Sequence, residues 1–156
     1  MREALSEAQA ALITREMPVG CVVVRRGEII ARAHNECETR KDATAHAELL
    51  ALQRAAQVVG DWRLNDCTLY VTLEPCPMCA GAIMQSRVGR LVFGASDPEQ
   101  GCAGSLYRIT EDPAFPHFCP ADGGVLAGEC AQALKRFFSE RRGRASAESV
   151  RPATCG

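Results

Sequence analysis

The chain has 156 residues, 47% of them hydrophobic, which is enough for one domain with a buried core. Its formal charge of −1 excludes a generally basic nucleic-acid-binding protein, so any contact with a polyanion would need a local patch. The sequence shows neither an apolar signal segment nor a run of ~20 apolar residues, which argues against a membrane protein, and its nine cysteines are better explained as cytoplasmic thiols, some of them metal-bound, than as a disulfide framework.

The first half of the sequence predicts a helix, a β-hairpin and a second helix. Apolar residues repeat at helical spacing near the N-terminus, and two β-branched runs flank a polar turn that contains Gly27. Thr44 is the expected N-cap of the second helix, and Gly60 is its expected stop. The predicted elements are a helix over residues 2–16, strands over 19–24 and 29–33, and a helix over 44–59.

The second half continues the alternation of strands and helices. Its first strand is apolar enough to be buried on both faces, and Pro77 suits the first turn of the helix that follows. The predicted elements are a strand over 67–73, a helix over 77–87, a strand over 90–95, a short helix over 105–110, a weak strand over 116–120 and a helix over 128–142. We therefore expect one layered α/β domain over residues 1–142 and a flexible tail over 143–156.

The segment TAHAEL, residues 44–49, places His46 and Glu48 two positions apart where a helix is expected to begin. A spacing of two rotates the second side chain by about 200° around a helix, so the pair cannot share one lateral face. Both side chains can reach a common target only if that target lies beyond the end of the helix. The spacing therefore indicates a site at a helix N-terminus.

Cys76 and Cys79, in the motif Cys-Pro-Met-Cys, lie at the start of another predicted helix, directly after a strand. One histidine and two cysteines are a ligand set of catalytic zinc ions, which keep the fourth position open. The partial positive charge of helix N-termini also favours thiolates. We expect His46, Cys76 and Cys79 to bind one Zn²⁺ per chain, and Glu48 to act beside the metal as a general acid and base.

The combination of His-x-Glu with Pro-Cys-x-x-Cys is the signature of the zinc-dependent nucleobase deaminases. Over residues 1–142 the sequence also resembles the bacterial tRNA-specific adenosine deaminases, members of the cytidine-deaminase-like superfamily. The segments that carry the resemblance are EMPVG (16–20), DATAHAE (42–48), DWRLNDCTLYVTLEPCPMCAGAI (61–83), SRVGRLVFGA (86–95) and GCAGSL (101–106).

This resemblance implies a three-layer α/β/α sandwich with a central five-stranded mixed sheet and a cytoplasmic homodimer. It also implies zinc-dependent hydrolysis of adenosine to inosine at the wobble position of a tRNA anticodon. An anticodon loop is unpaired, so its adenosine can enter a pocket at little energetic cost. The alternative function is deamination of a free nucleobase or nucleoside, of guanine or cytosine type, on the same fold.

The resemblance further implies contacts with the substrate. Asn35 would hydrogen-bond the flipped adenine, Val19 would line the base pocket, and Asp97 would lie near the target ribose. The last predicted helix, with Phe137, Phe138, Arg141 and Arg142, would contact the anticodon stem-loop. From the residues alone, the asparagine and the aspartate are also ordinary turn formers, the valine also suits a strand core, and the basic segment 135–144 also suits a solvated helix face.

The Cys-x-x-Cys motif by itself also fits two sites of a different kind. A thioredoxin-like redox pair accounts for Cys76 and Cys79 but leaves the histidine and the glutamate unexplained. A closed structural zinc site would need a fourth ligand, for which Cys67 and Cys102 are the candidates. An inactive, zinc-stabilised module that binds RNA would have no use for a glutamate poised as a base.

Overall fold

Helices and strands alternate along the chain, as the sequence patterns predict. The computed structural model describes residues 1–149, with burial of side chains described through residue 143. The helices are α1 Arg2–Ile13, α2 Cys37–Arg40, α3 Ala47–Val59, α4 Pro77–Gln85 and α5 Ala127–Ser149, together with a 3-10 helix at Ile109–Glu111. The strands are β1 Gly20–Arg25, β2 Glu28–His34, β3 Cys67–Leu73, β4 Arg90–Ala95 and β5 Ala121–Asp122.

The five strands form one mixed sheet in the order β2-β1-β3-β4-β5. β1 runs antiparallel to β2 and β3, whereas β4 runs parallel to both β3 and β5. α1 and α5 contact each other and the sheet, and α3 packs against β1 and β2 with α4 beside it. The predicted three-layer α/β/α sandwich around a five-stranded mixed sheet is therefore confirmed.

α1 lies directly on the first residue of β1, because that residue is Gly20. A Cβ atom at this position would lie 2.0 Å from the carbonyl oxygen of Ala4 and 2.4 Å from the amide nitrogen of Ala8. The helix presents small side chains along this face, and Ala4, Ala8 and Ala11 are fully buried. The close approach brings the loop after α1, residues 14–19, to the end of the sheet where β1 begins.

The carboxyl ends of β3 and β4 meet at one edge of the sheet. These two strands are parallel neighbours, and their last paired residues are Leu73 and Ala95. The chain then continues into Glu74 and the start of α4 after β3, and into Asp97 after β4. Crevices outside the carboxyl ends of parallel strands are the usual place for ligands in such sheets. This edge is therefore where the fold positions a site.

The ends of the first and the last predicted helix differ from the structure. α1 ends at Ile13 and not at residue 16, because Arg15 adopts a positive φ of 61° and turns the chain away from the helix. α5 extends to Ser149, so residues 143–149 continue the last helix, where a flexible tail was predicted. The rest of that predicted tail, 150–156, lies outside the described residues.

The irregular parts of the chain were predicted less well than its buried strands. The loop after β2 contains the one-turn helix α2, which the polar sequence did not indicate. The short helix predicted over 105–110 is a 3-10 turn that begins at Ile109. The weak strand predicted over 116–120 is wrong in position, because those residues form no strand and the two-residue β5 follows them. None of the helices in residues 1–149 combines the length and the apolar character needed to cross a membrane.

Candidate metal centre and catalytic cavity

The first residues of α3 and α4 converge at the edge of the sheet. His46 is the N-cap of α3, with extended backbone angles, and Cys76 is the N-cap of α4. Pro77 follows at the first helical position, where its missing N–H costs no hydrogen bond, and Cys79 lies in the same turn. Both helices therefore point their N-termini toward the space between these side chains, as the two-residue spacing of His46 and Glu48 indicated.

The distances within this group fit a tetrahedral metal. The Nδ1 atom of His46 lies 3.7 Å from the Sγ atom of Cys76 and 3.5 Å from that of Cys79. All three ligand atoms lie within 4.8 Å of one another. Two ligands of a tetrahedral zinc ion, one nitrogen and one sulfur, are expected about 3.6 Å apart from the usual bond lengths. The residues present therefore fit a zinc ion bound by three protein ligands.

The candidate fourth ligands do not join this group. Of the His, Cys, Asp and Glu side chains that the structure describes, only His46, Cys76 and Cys79 have ligand atoms close enough together to hold an ion. Cys67 and Cys102 are buried elsewhere in the fold and remain outside the cluster. The arrangement leaves one tetrahedral position free of protein ligands, which is the pattern of a catalytic site and not of a closed structural one.

The two sulfur atoms of the group differ in their protonation. Hydrogen bonding from the Cys79 thiol, together with His46, lowers the pKa of Cys76 to about 4 despite its partial burial. The pKa of Cys79 is raised, because its thiol donates the hydrogen bond to Cys76 and is itself buried. Hydrogen bonding to the sulfur of Cys76 also raises the pKa of His46. These shifts favour the thiolate form of Cys76, which is the form of cysteine that binds metals.

Glu48 lies in the first turn of α3, next to this group, and is 4% exposed. Burial is the largest influence on its carboxyl group and raises its pKa to about 7. A carboxyl group with a pKa near neutrality can both accept and return a proton. The position and the burial of Glu48 therefore suit a general acid and base, and they distinguish it from an exposed carboxylate that only balances a helix dipole.

The start of α3 is held by residues from the preceding loop. Thr44 is not the N-cap, because its backbone N–H and its hydroxyl both donate to Oδ1 of Asp42, forming a turn. The helix begins three residues later, at Ala47, whose N–H donates to Oδ1 of Asn35 at 2.8 Å. Asn35 is 6% exposed. Its oxygen is therefore used within the protein, and its amide NH₂ group is the part left to contact a ligand.

A cavity of about 330 Å³ opens at the metal group and collects most of the predicted site residues. Val19, Asn35 and Asp97 line it together with the buried glutamate of α3, and Arg141 of α5 lies at its wall. Its lining residues are Arg15, Glu16, Met17, Val19, Asn35, Cys37, Glu38, His46, Glu48, Leu73, Glu74, Cys76, Asp97, Gln100, Phe137 and Arg141. This volume is within the usual range of ligand pockets, and it suits a nucleobase with part of its sugar.

A groove of about 540 Å³ adjoins this cavity on the side of α5. The two share the lining residues Arg15, Glu38, Phe137 and Arg141. Within residues 1–143, neither of these two arginines is seen in an ion pair. The boundary between cavity and groove therefore presents two guanidinium groups to an anionic ligand, with the carboxylate of Glu38 beside them.

Two of the predicted contacts lie outside both depressions. Phe138 is 40% exposed and packs edge-on against Phe137, with ring centroids 5.5 Å apart. It is Phe137 that lines the cavity, because successive residues of a helix point about 100° apart. Arg142 also lines neither the cavity nor the groove.

Two buried glutamates in the cavity wall were not identified from the sequence. Glu16 is 1% exposed and accepts the N–H of Thr39 at 2.6 Å and that of Glu38 at 3.1 Å, which fixes α2 against the loop after α1. Burial alone would raise the pKa of Glu16, but these two hydrogen bonds outweigh it and lower the pKa. Glu74 is 2% exposed and holds the loop after β4 in a similar way.

Glu74 also determines where Asp97 lies. The N–H of Asp97 donates to Oε2 of Glu74 at 2.9 Å, while Oδ1 of Asp97 accepts the N–H groups of Glu99 and Gln100. Asp97 is thus a turn former, as its sequence context suggested, and it lines the cavity as well. The sequence signals for Glu74 were its place between a buried strand and the Cys-Pro-Met-Cys motif and the family resemblance of the segment that contains it.

Comparison with known proteins connects this geometry to a chemistry. The family model of the MafB19-like deaminases matches residues 1–112. The tRNA-specific adenosine deaminase of Bacillus subtilis (strain 168) is 51% identical over 142 residues, which cover 91% of this chain and 88% of that protein. A deaminase structure from a study of A-to-I editing by tRNA:A34 deaminases superposes with a TM-score of 0.82 at 41% identity, covering 86% of this chain and 97% of that one.

A guanine deaminase from Bacillus subtilis shares the fold at greater distance. Its structure superposes with a TM-score of 0.60 at 31% identity and covers 90% of each chain. Both the identity and the TM-score are lower than for the tRNA:A34 deaminase structure.

Proposed function

The chain belongs to the family of tRNA-specific adenosine deaminases, and we propose that it hydrolyses adenosine to inosine at the wobble position of a tRNA anticodon. The observation that carries this proposal is that the group of His46, Cys76 and Cys79 lies beside the buried carboxyl group of Glu48, at a cavity of nucleobase size lined by His46, Glu48 and Cys76. The identity of the substrate is inferred from family membership. Two relatives, 51% and 45% identical to this chain, are named tRNA-specific adenosine deaminases.

The proposal includes one zinc ion per chain, held by His46, Cys76 and Cys79. When bound there, zinc would act as a Lewis acid and lower the pKa of a water molecule to about 7. The metal content of purified protein tests this, with Cys76→Ser expected to reduce zinc from one ion per chain to nearly none. Cys119→Ser changes another buried cysteine outside the metal group and should leave the zinc content unchanged.

Glu48 would move the protons of the reaction. It accepts a proton from the attacking water, whose oxygen forms a bond to C6 of the adenine, and it donates a proton to N1. It then takes the proton of the new hydroxyl group on C6 and passes it to the amino group, so that the C6–N bond breaks, ammonia leaves and the C6 oxygen becomes the carbonyl oxygen of inosine. The amide NH₂ of Asn35 would orient the base, Val19 would pack against it, and Asp97 would face the ribose, since all three line the cavity.

The RNA would extend from the cavity along the adjoining groove. Arg15 and Arg141 stand where the groove and the cavity meet, and the aromatic ring of Phe137 lines both. Guanidinium groups pair with phosphates, and aromatic rings stack on unpaired bases, so this surface suits an anticodon stem-loop. Phe138 and Arg142, farther along the same helix, would contact the stem.

The proposal extends to the state of the protein in the cell. We expect a homodimer, because four large apolar side chains between residues 106 and 118 are 45–66% exposed and a second copy could cover them. These residues are Leu106, Tyr107, Phe115 and Phe118. The free cysteines suit the reducing cytoplasm, where tRNA is found. Residues 1–142 would act as a single deaminase domain.

Inosine formation in an anticodon stem-loop with adenosine at the wobble position tests this function directly. Zinc-loaded protein would be incubated with that RNA and, in parallel, with free adenosine, guanine and cytosine. Inosine in the stem-loop alone is the expected result. Release of ammonia from a free base, with no inosine in the RNA, would support the proposed catalytic residues. It would show that the substrate is a small molecule and not tRNA.

A further inference from the structure

Glu74 is a buried carboxylate for which the proposed reaction has no use. It follows the last residue of β3, lies two positions before Cys76, and is 2% exposed. A buried charge is stable only when its oxygen atoms are hydrogen-bonded. The partners of this carboxylate therefore indicate what the residue does.

The side chain of Glu74 is hydrogen-bonded by one loop, residues 97–105. Backbone N–H groups donate to it from Asp97 at 2.9 Å, Ala103 at 3.0 Å and Ser105 at 2.9 Å. The hydroxyl group of Ser105 donates as well. Four donors from a segment 23–31 residues away in the sequence thus converge on the two oxygen atoms of one side chain.

The same loop is wrapped tightly around the carboxyl group. A Cβ atom at Gly101 would lie 2.4 Å from both Cδ and Oε2 of Glu74, so only glycine lets the backbone pass there. The N–H of Gly101 donates to the carbonyl oxygen of Asp97, and the N–H of Cys102 donates to that of Pro75. The loop is therefore fixed to the short segment that carries the first cysteine of the metal group.

We propose that Glu74 is a positioning residue that holds Asp97 and the 97–105 loop as one wall of the catalytic cavity, and thereby sets how the target nucleotide is seated. The loop meets the segment before Cys76 through the backbone of Pro75, whereas the ligand side chains themselves come from the starts of α3 and α4. We therefore expect a change at Glu74 to affect the seating of the substrate more than the assembly of the metal group. The inference rests on the proposed function, since it assigns the wall to a nucleotide substrate.

The variant Glu74→Gln tests the proposal, because it keeps the size of the side chain and turns one acceptor into an NH₂ donor that faces N–H groups. We expect amide hydrogen exchange at Asp97, Ala103 and Ser105 to become at least tenfold faster, with zinc content unchanged. KM for the stem-loop should rise about tenfold while kcat changes less than threefold. Unchanged exchange rates in this loop would overturn the proposal, as would loss of zinc together with the loop.

Glu111→Gln is the matched control. Oε1 of Glu111 accepts the backbone N–H of Ala121 at 2.9 Å, and this glutamate lies outside the catalytic cavity. The glutamine variant weakens one carboxylate–backbone hydrogen bond and the ion pair of Glu111 with Arg108, and both lie outside residues 97–105. Its KM for the stem-loop should match that of the unmodified protein. An equal rise of KM in Glu74→Gln and Glu111→Gln would mean that Glu74 contributes only to the stability of the protein, and this would overturn the positioning role.

A double-mutant cycle with Asp97→Asn tests whether Glu74 affects KM through Asp97 or independently of it. If Glu74 acts through Asp97, the double variant should raise KM no more than the larger of the two single changes. Additive effects would overturn the proposal.

If Glu74→Gln does not fold, Glu74→Asp provides a second test, because it keeps both carboxylate oxygens on a shorter side chain. This variant should raise KM about threefold and keep its zinc. An unchanged KM would contradict the positioning role of Glu74.

The exchange measurement keeps this inference distinct from the proposed function. Amide hydrogen exchange needs no substrate. It therefore reports on the hydrogen bonds between Glu74 and the 97–105 loop even if the protein forms no inosine. Absence of inosine with the unmodified protein would overturn the proposed function, whereas normal KM values in Glu74→Gln would overturn the seating role alone.

Discussion

The side-chain oxygen of Asn35 accepts the backbone N–H of Ala47 at 2.8 Å, so the residue that follows β2 binds the first N–H group of the helix that carries the proposed catalytic glutamate. The contact spans 12 positions of the sequence. It fixes the orientation of the asparagine amide, because one end of the group is already bonded. A single residue thus both begins the helix and presents a donor to the cavity.

These two roles of Asn35 can be separated by substitution. Asn35→Asp keeps an oxygen for Ala47 but removes the NH₂ donor, whereas Asn35→Ala removes both. We expect each variant to lose at least about tenfold in kcat/KM, and the alanine variant to lose in addition about 1 kcal/mol of stability, the typical net value of one protein hydrogen bond. Steady-state kinetics and urea unfolding measure the two effects. The exposed Asn65 provides a control, and full activity of Asn35→Asp would exclude the amide from base recognition.

Glu48→Gln should keep the zinc ion and lose turnover, because the amide cannot accept a proton. A decrease in kcat of ~10²–10⁴ is expected for the loss of a general acid and base. Metal analysis and single-turnover inosine formation measure the two properties. Glu129→Gln changes another first-turn glutamate, on α5 and exposed, and should have full activity. Turnover retained in Glu48→Gln would remove this residue from the mechanism.

Asp97→Asn should weaken discrimination against DNA if the carboxylate reads the ribose 2′-OH. The variant keeps Oδ1, which accepts the N–H groups of the turn, so the loop should hold its shape. A hydrogen bond to a charged group contributes about 1.5 kcal/mol or more, which predicts about a tenfold fall in the ratio of RNA to DNA rates. Asp112 forms a similar turn outside the cavity, so Asp112→Asn is its control. An unchanged ratio would refute ribose recognition by Asp97.

Arg141→Gln should weaken RNA binding and make it less dependent on salt. Each phosphate contact contributes about 0.7 to the slope of log K against log salt for single strands, so the slope should fall by about that amount. Arg136 is exposed on the same helix and lines neither the cavity nor the groove, so Arg136→Gln should have a smaller effect. Titrations of the stem-loop at several salt concentrations measure both slopes. Equal slopes in both variants would mean that α5 attracts RNA only through its overall charge.

Glu16 should make stability depend on pH in a defined direction. Its pKa is lowered in the folded protein, so its contribution is complete above the unfolded pKa of about 4.3 and is lost as the pH falls toward and through the lower folded value. Glu16→Gln should therefore reduce the free energy of unfolding by about 1–3 kcal/mol at pH 7, and the difference should shrink below pH ~4. Urea unfolding with a chelator in every sample measures this. The exposed Glu28→Gln should show no such change, and a constant difference at all pH values would contradict the role of the charge.

The parts of the fold that could be predicted were those encoded locally. β3 and β4 were predicted with their observed bounds because each is a continuous apolar run, which has few alternatives to a buried strand. The grouping of the histidine with the two cysteines followed from spacing at two helix starts. These signals need only residues that are close in sequence.

The parts that could not be predicted depend on distant partners. The start of α3 was placed three residues too early, because the turn at Asp42 and the cap from Asn35 compete with the local preference of Thr44. Glu16 and Glu74 resemble surface carboxylates until the loops that donate to them, 22–31 residues away, are brought alongside. Their roles follow from tertiary contacts that no local pattern records.

The separation of the metal-binding residues along the chain has a consequence for folding. His46 and Cys76 are 30 positions apart, and they begin two different helices. An ion bound by both would act as a crosslink between α3 and α4. The crosslink would close the loop between His46 and Cys76, and this loop keeps its conformational entropy in the unfolded chain without the ion. The free-energy cost of closing a loop rises by only about 0.6 kcal/mol for each doubling of its length. Zinc supply would then affect how long the folded protein survives as well as how fast it works.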